Sequence, residues 1–209
     1  MATSTRGRKT RRPYHHGNLR RALLDEALAT IRTEGVEALT LREIGARLGV
    51  SRTALYRHFA DKRALITAVA TEGFRTLRQE LLAAWEAGGK GEAAFYAMGI
   101  AYIRYALANP SHYRVMFGGF VEKQQQDPVL TAEAKGAFQA LVDALTALQR
   151  DAIMRADDTQ LMAGYVWALV HGLAMLGIDG QLREPNAIEH LQRYALERLR
   201  TGIAMTQVG

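Results

Sequence analysis

The sequence predicts an all-α protein in which a small N-terminal three-helix domain is joined to a larger C-terminal helical domain. Three observations lead there. Apolar residues recur at i, i+3 and i+4 through one stretch after another, and no convincing alternating run interrupts them. Four residues with N-cap chemistry, Asn18, Thr40, Ser51 and Asp61, open successive stretches within the first third of the chain. The basic excess is confined to that same third: residues 1–62 carry 13 Lys/Arg and 6 Asp/Glu, net +7, whereas residues 63–209 carry 14 and 15, net −1.

Five cations, Arg6, Arg8, Lys9, Arg11 and Arg12, precede any helical pattern, so residues 1–16 are expected to form a flexible basic arm. Pro13 and Gly17 separate this arm from an amphipathic stretch over 18–34, whose apolar side is Leu23, Leu24, Ala27, Leu28 and Ile31, with Gly35 as its stop. Thr40 caps a short helix over 41–48, and Glu43 stands three residues on, where a capping box needs it. Gly49-Val50 makes a turn, Ser51 caps a third helix over 52–58, and Asp61 caps a longer one running from Lys62 toward Glu86. The domains are therefore expected at 17–62 and 63–209. After Gly88-Gly89-Lys90-Gly91, further helices are expected over 92–108, 111–117, 128–156, 158–179 and 187–203, with Pro110, Pro128 and Pro185 at their boundaries.

Residues 41–59, LREIGARLGVSRTALYRHF, read as two short helices joined at Gly49, the arrangement of a helix-turn-helix. Ile44, Leu48, Val50, Leu55 and Phe59 face inward, and Gly45 lies where the second helix must cross closely. Arg52, Thr53, Tyr56 and Arg57 are left outward on the third helix. Their chemistry suits base edges and phosphates: arginine pairs bidentately with guanine, threonine offers a methyl and a hydroxyl, and tyrosine a phosphate hydrogen bond. Thr40 and Lys62 stand at helix N-termini, where the dipole and free N–H groups favour a phosphate. A bihelical turn and a helix cap are also ordinary packing features; the charge split and the basic arm weigh toward double-stranded DNA as the partner.

Thr40-Leu41-Arg42-Glu43-Ile44, Gly49-Val50-Ser51 and Leu55-Tyr56-Arg57-His58-Phe59 followed by Asp61-Lys62 resemble the DNA-binding domain of the TetR family of regulators, over about Leu19 to Phe74. The resemblance implies a three-helix DNA-binding head, a helical C-terminal domain that dimerises and holds an inducer, and repression relieved by that ligand in the cytoplasm. Carried over position by position, it implies that Thr40, Tyr56 and Lys62 touch phosphates and that Arg52, Thr53 and Arg57 lie near bases. Gly45 departs from the alanine more usual there. Trp167, His171 and Gly172 resemble the Trp-His-Gly motif of one C-terminal subtype of the family.

The C-terminal half offers a pocket, an interface or both. Phe95, Met98, Tyr102 and Tyr105 recur at helical spacing, with Tyr113, Met116, Phe117 and Phe120 following, and Trp167, His171 and Met175 share one face. Aromatics at this spacing serve core packing at least as readily as ligand contact; the Trp-His pair adds a polar group to an apolar lining, the usual composition of a small-molecule site. Leu161 to Ile178 runs 18 residues without a charge, enough to raise a membrane span, but His171, three glycines and the flanking Asp157, Asp158 and Asp179 fit a buried helix better. Gly164, Ala168 and Gly172 make a small-residue stripe, and Leu191, Ala195 and Leu199 line one side of the last helix; together they are expected to form a four-helix homodimer interface.

No cysteine is present, no His/carboxylate set has metal-ligand spacing, and no serine sits in a nucleophile elbow, so neither a metal, a cofactor nor enzymatic activity is expected. Gly89-Lys90 imitates the end of a phosphate-binding loop, but Ala84 and Gly91 occupy the positions that motif needs for glycine and hydroxyl. The leading expectation is a ligand-responsive DNA-binding regulator. A DNA-associated structural or partner-binding protein without an inducer is the alternative.

Overall fold

A computed structural model describes residues 19–120, 127–182 and 186–203. The basic arm, Asn18, Pro185 and the C-terminal 204–209 lie outside the described residues. Among those described there are nine helices and no strand: α1 (Leu19–Glu34), α2 (Leu41–Leu48), α3 (Arg52–Tyr56), α4 (Lys62–Ala87), α5 (Glu92–Ala108), α6 (Pro110–Phe117), α7 (Pro128–Arg150), α8 (Thr159–Ile178) and α9 (Ala187–Ile203).

The head forms as local chemistry dictates. The Thr40 hydroxyl accepts from the Glu43 N–H (3.2 Å) and donates to the Glu43 carboxylate (2.8 Å), a side-chain variant of the capping box. Ser51 caps α3 through the Ala54 N–H, and the Asp61 carboxylate caps α4 through the Ala64 N–H at 2.7 Å. Gly49 adopts φ 67°, the left-handed turn that lets α2 stop and α3 start at once. Leu23, Leu24 and Ala27 of α1 bury against Leu39, Ile44, Leu55 and Phe59. Arg47 ties α2 to α1 from outside, donating to Glu34 (2.7 Å) and to the Thr30 hydroxyl (3.1 Å).

Helix α4 leaves this head without interruption. Leu65, Ile66 and Val69 complete the head's core, and Phe74, Leu77, Leu81 and Trp85 belong to the body formed with α5–α8. The boundary expected at 62–63 thus falls in the first turn of a helix shared by both halves. In the body, α4 packs against α5, α6 and α7, while α8 closes the far side against α5 and α7, and α9 lies against α8 and α5.

Two helices end two or more residues earlier than expected. α3 stops at Tyr56 rather than at His58. α7 stops at Arg150, six residues short: Ala152 takes φ 54°, and the N–H groups of Ile153 and Met154 both turn back to the Leu148 carbonyl. Met154 is buried all the same, and Arg155 then donates its N–H to the Ile203 carbonyl at the end of α9. The apolar pattern continues through 153–154 because these side chains enter the core from a turn.

Gly88 permits the tight return from α4 to α5: a Cβ there would lie 2.5 Å from the Ala94 Cα, a backbone atom that cannot yield cheaply. Gly88→Ala is expected to destabilise the protein by about 1–3 kcal/mol. Gly202→Ala, in α9 with nothing within 4 Å of its added Cβ, is expected to be neutral or to stabilise by up to about 1 kcal/mol. Urea midpoints at one fixed protein concentration decide; equal shifts would refute the packing role of Gly88.

Candidate functional site

Two places in the molecule carry recognition chemistry. The first is the outer face of the head. Burying Leu55 turns Arg52, Thr53, Tyr56 and Arg57 of the α3 segment to solvent, and the Arg52 guanidinium lies 5.5 Å from the centre of the Tyr56 ring. Thr40 is also exposed, with its hydroxyl proton held by Glu43. Lys62 is half-buried and donates from Nζ to the Glu37 carbonyl at 2.9 Å, so contact with a phosphate would require it to leave that carbonyl.

The second is a cavity of about 470 Å³ in the body, bordered by five helices and partly open to solvent beside Trp167. α4 contributes Phe74, Leu77 and Leu81, and α5 contributes Met98, Gly99 and Tyr102. Phe117 of α6 and Ala134, Ala137, Phe138 and Leu141 of α7 form further walls, and α8 closes it with Gly164, Val166, Trp167 and Val170. Among the described residues no charged side chain lines it, and of those lining residues only Tyr102 and Trp167 carry a side-chain O–H or N–H.

Those two groups open onto a hydrogen-bonded chain. Trp167 Nε1 donates to the Tyr102 hydroxyl at 3.1 Å; the Tyr102 and Tyr113 hydroxyls lie 2.8 Å apart; and Tyr113 lies 2.7 Å from His171 Nδ1, with Tyr102 at 3.3 Å from the same nitrogen. The His171 ring stacks on Tyr113 and meets Phe117 edge-on. Burial pushes the Tyr102 hydroxyl up to about 12, the bonds from Tyr113 and Trp167 opposing it, and burial likewise raises Tyr113. Burial lowers His171 below its ordinary range, so the whole group is uncharged at neutral pH.

Of the residues expected to line a pocket, Met98, Tyr102, Phe117 and Trp167 line this cavity, and His171 stands behind it as the end of the chain of hydrogen bonds. Phe95 instead borders a crevice with Leu196 and Leu199, Phe120 borders a cleft with Ile66, and Met175 is outside the lining. Tyr105 is buried with its hydroxyl on the Gly73 carbonyl at 2.9 Å, pinning α5 to α4. The walls supplied by α4 and α7 went unnoticed in the sequence, because apolar residues at helical spacing look alike whether they face a neighbour or a void.

The expected interface residues also divide. Ala168 is exposed and the Cβ position of Gly172 is open, but Gly164 borders the cavity, Leu191 and Ala195 are half-buried against the chain's own core, and Leu199 is buried within it. The large apolar residues left exposed on these two helices are Leu161, Tyr165, Trp167 and Leu176 of α8 and Tyr194 of α9. α8 is long and apolar enough to cross a membrane by length and composition, yet only 33% of its apolar window is buried inside the chain.

A second cluster joins head to body. Glu72 of α4 lies 2.6 Å from Arg21 of α1 and 3.6 Å from His112 of α6, and Arg21 also pairs with Asp25. Burial lowers His112, with Glu72 pulling it back up. A histidine held below its ordinary 6.5 in the fold binds fewer protons there than in the unfolded chain, so stability rises with pH through the window just below 6.5. Taking the protein from about pH 7 to about pH 5.5, above where carboxylates titrate, should lower the urea midpoint, and replacing both His112 and His171 by glutamine should shrink that loss. An undiminished loss in the double variant would refute the assignment.

Comparison with known proteins places this architecture. Residues 23–69 match the family described as bacterial regulatory proteins, tetR family, and residues 95–199 match the tetracyclin repressor-like C-terminal domain. An HTH-type transcriptional regulator of Mycobacterium tuberculosis, Rv0472c, is 36% identical over 115 residues, which span 54% of this chain and 49% of that protein. The chain thus matches about half the length of that curated relative. The class C tetracycline repressor of Escherichia coli is 47% identical over 51 residues, 24% of this chain and 23% of the repressor. A solved structure of a protein of unknown function from Rhodococcus sp. RHA1 superposes with a TM-score of 0.80 at 30% identity, covering 93% of this chain and all of that one. The helix-turn-helix head, the helical body and both family matches agree: the chain belongs to the TetR family of bacterial transcriptional regulators.

Proposed function

We propose that the chain is a homodimeric repressor that reads a double-stranded operator with α3 and leaves it when a small apolar or aromatic inducer fills the cavity. The observation that carries this reading is that the cavity walls and the head's supports are the same helices. Phe74 and Leu77 on α4 and Phe117 on α6 face the cavity, while within two turns of them Glu72 on α4 meets both Arg21 of α1 and His112 of α6. A ligand that displaces α4 and α6 moves the head. Ligand and operator then oppose one another, each weakening the other by the same factor.

Dimerisation supplies the remaining geometry. The uncovered Leu161, Tyr165, Ala168, Gly172 and Leu176 recur along one side of α8 beside Tyr194 of α9, a surface that a second copy would cover, as in a four-helix interface. This reading accounts for the apolar length of α8 without a membrane and places the protein in the cytoplasm with DNA. Two copies must then present α3 about one DNA turn apart, near 34–36 Å, or at a spacing the duplex adapts to. The alternative of a DNA-associated protein without an inducer leaves the cavity without a role.

The test is selection of duplexes from a random library by the purified protein at physiological salt, followed by release with apolar compounds. Equal affinity for selected and random DNA would defeat the reading. Arg52→Ala or Arg57→Ala should relax sequence preference by about 1–3 kcal/mol, whereas Lys62→Ala should weaken all sequences alike and lower the salt slope by about one. Uniform effects from all three would overturn their roles. Glu72→Gln should reduce the factor by which a releasing compound weakens operator binding, by about 0.5–2 kcal/mol in coupling, with ligand affinity in the absence of DNA nearly unchanged. An unaltered factor would remove the α1–α4–α6 junction from the coupling.

A further inference from the structure

The hydrogen-bonded chain behind the cavity has a direction, and the direction selects the ligand. Its donors are the Trp167 N–H and the hydroxyls of Tyr102 and Tyr113; its acceptors are those two hydroxyl oxygens and His171 Nδ1. The indole nitrogen donates only, so the chain starts at Trp167. Two arrangements satisfy all three donors when His171 carries its own proton on Nε2: Trp167 to Tyr102 to Tyr113 to His171, or Trp167 and Tyr113 both to Tyr102 with Tyr102 to His171. The first uses the 2.7 Å approach to Nδ1 and the second the 3.3 Å one, so the first is the stronger. Running the chain the other way puts a proton on Nδ1 and leaves the Tyr102 hydroxyl donating into an apolar void, an unmade bond that costs more than a hydrogen bond typically gains. In the stronger arrangement no donor points into the cavity; what Tyr102 has to spare there is a lone pair.

We infer that the cavity takes an uncharged, largely apolar molecule carrying one hydroxyl-type hydrogen-bond donor, received by the oxygen of Tyr102. This rests on the reading of the cavity as the inducer site and adds its chemical class. Among the described lining residues an anion would find neither a cation nor a free donor, and a cation would find aromatic faces but no carboxylate, so either would be buried largely uncompensated. An acceptor-only group, such as an ether, would be bound without a partner unless the whole chain reversed and His171 moved its proton between ring nitrogens. Tyr102 is the specificity-determining residue; Tyr113 and His171 position its proton.

Calorimetric titration of the full chain with para-nonylphenol, para-nonylanisole, para-nonylbenzoate and trimethyl-para-nonylanilinium tests this. Apolar transfer alone favours the ether over the phenol, since the phenol gives up its hydrogen bonds to water. The expected result is the reverse: the phenol about tenfold tighter than the ether, and the two ions about a hundredfold or more weaker than the phenol. Tyr102→Phe should abolish the preference for the phenol, read as the ratio of phenol to ether affinity within the variant. Tyr113→Phe should keep the preference, because Tyr102 lies 3.3 Å from His171 Nδ1 and can donate there directly. The comparison within the unaltered protein decides even where Tyr102→Phe fails to fold. Ether binding as tightly as phenol, or either ion binding tighter than phenol, overturns the donor requirement and leaves the cavity a ligand site. Binding of none of the four probes overturns the ligand reading, and the inferred class with it.

Discussion

Helix α4 is buried on the head side through Leu65, Ile66 and Val69 and on the body side through Phe74, Leu77, Leu81 and Trp85, with no break between. A continuous helix of 26 residues, about 39 Å long at 1.5 Å per residue, does not bend locally without losing backbone hydrogen bonds. Whatever moves its cavity-facing middle must therefore tilt its N-terminal end, where Asp61 caps it and Phe59 enters the head's core. The ionic junction of Glu72 with Arg21 and His112, the Tyr105 hydroxyl on the Gly73 carbonyl and the Phe74–Phe117 ring contact all attach neighbours to this one rod.

The cavity is the complement of that stiffness. Protein interiors pack densely, and a cavity lined by side chains forfeits dispersion contacts along its walls. The lining here combines flat aromatic walls with small residues such as Gly99, Ala134, Ala137 and Gly164, which keep helices close without filling the space between them. Among the described residues, the polar side chains on the lining, Tyr102 and Trp167, are neutral and hydrogen-bonded to each other, so they bring no unpaired charge to the site. Such a site is easily filled by an apolar guest and poorly suited to a hydrated one.

The sequence carried unequal information about these parts. The head was legible because its signals are local: Thr40, Ser51 and Asp61 cap with their own side chains, Gly49 turns because it alone adopts positive φ freely, and the outward positions of α3 follow once Leu55 must be inside. The end of α7 was not, because Ile153 and Met154 keep the apolar period while the backbone turns at Ala152. Leu199, placed by its spacing on an interface, is buried against the same chain, and Tyr165 and Leu161 on α8 are the ones left outside. Helical periodicity marks an apolar face but carries no record of what covers it.

The sequence by itself therefore determined the helix inventory, the caps, the turn between α2 and α3, the concentration of positive charge at one end and the Trp167–His171 pair on one face. Each follows from interactions within a few residues or from composition. The tertiary structure decided which apolar faces meet and which border a cavity, that Tyr102 and Tyr113 stand between Trp167 and His171, and that Glu72 joins three helices. Those outcomes depend on contacts between residues from 11 to 69 positions apart, where hydrophobic attraction has no direction and only the packing of whole helices settles the geometry.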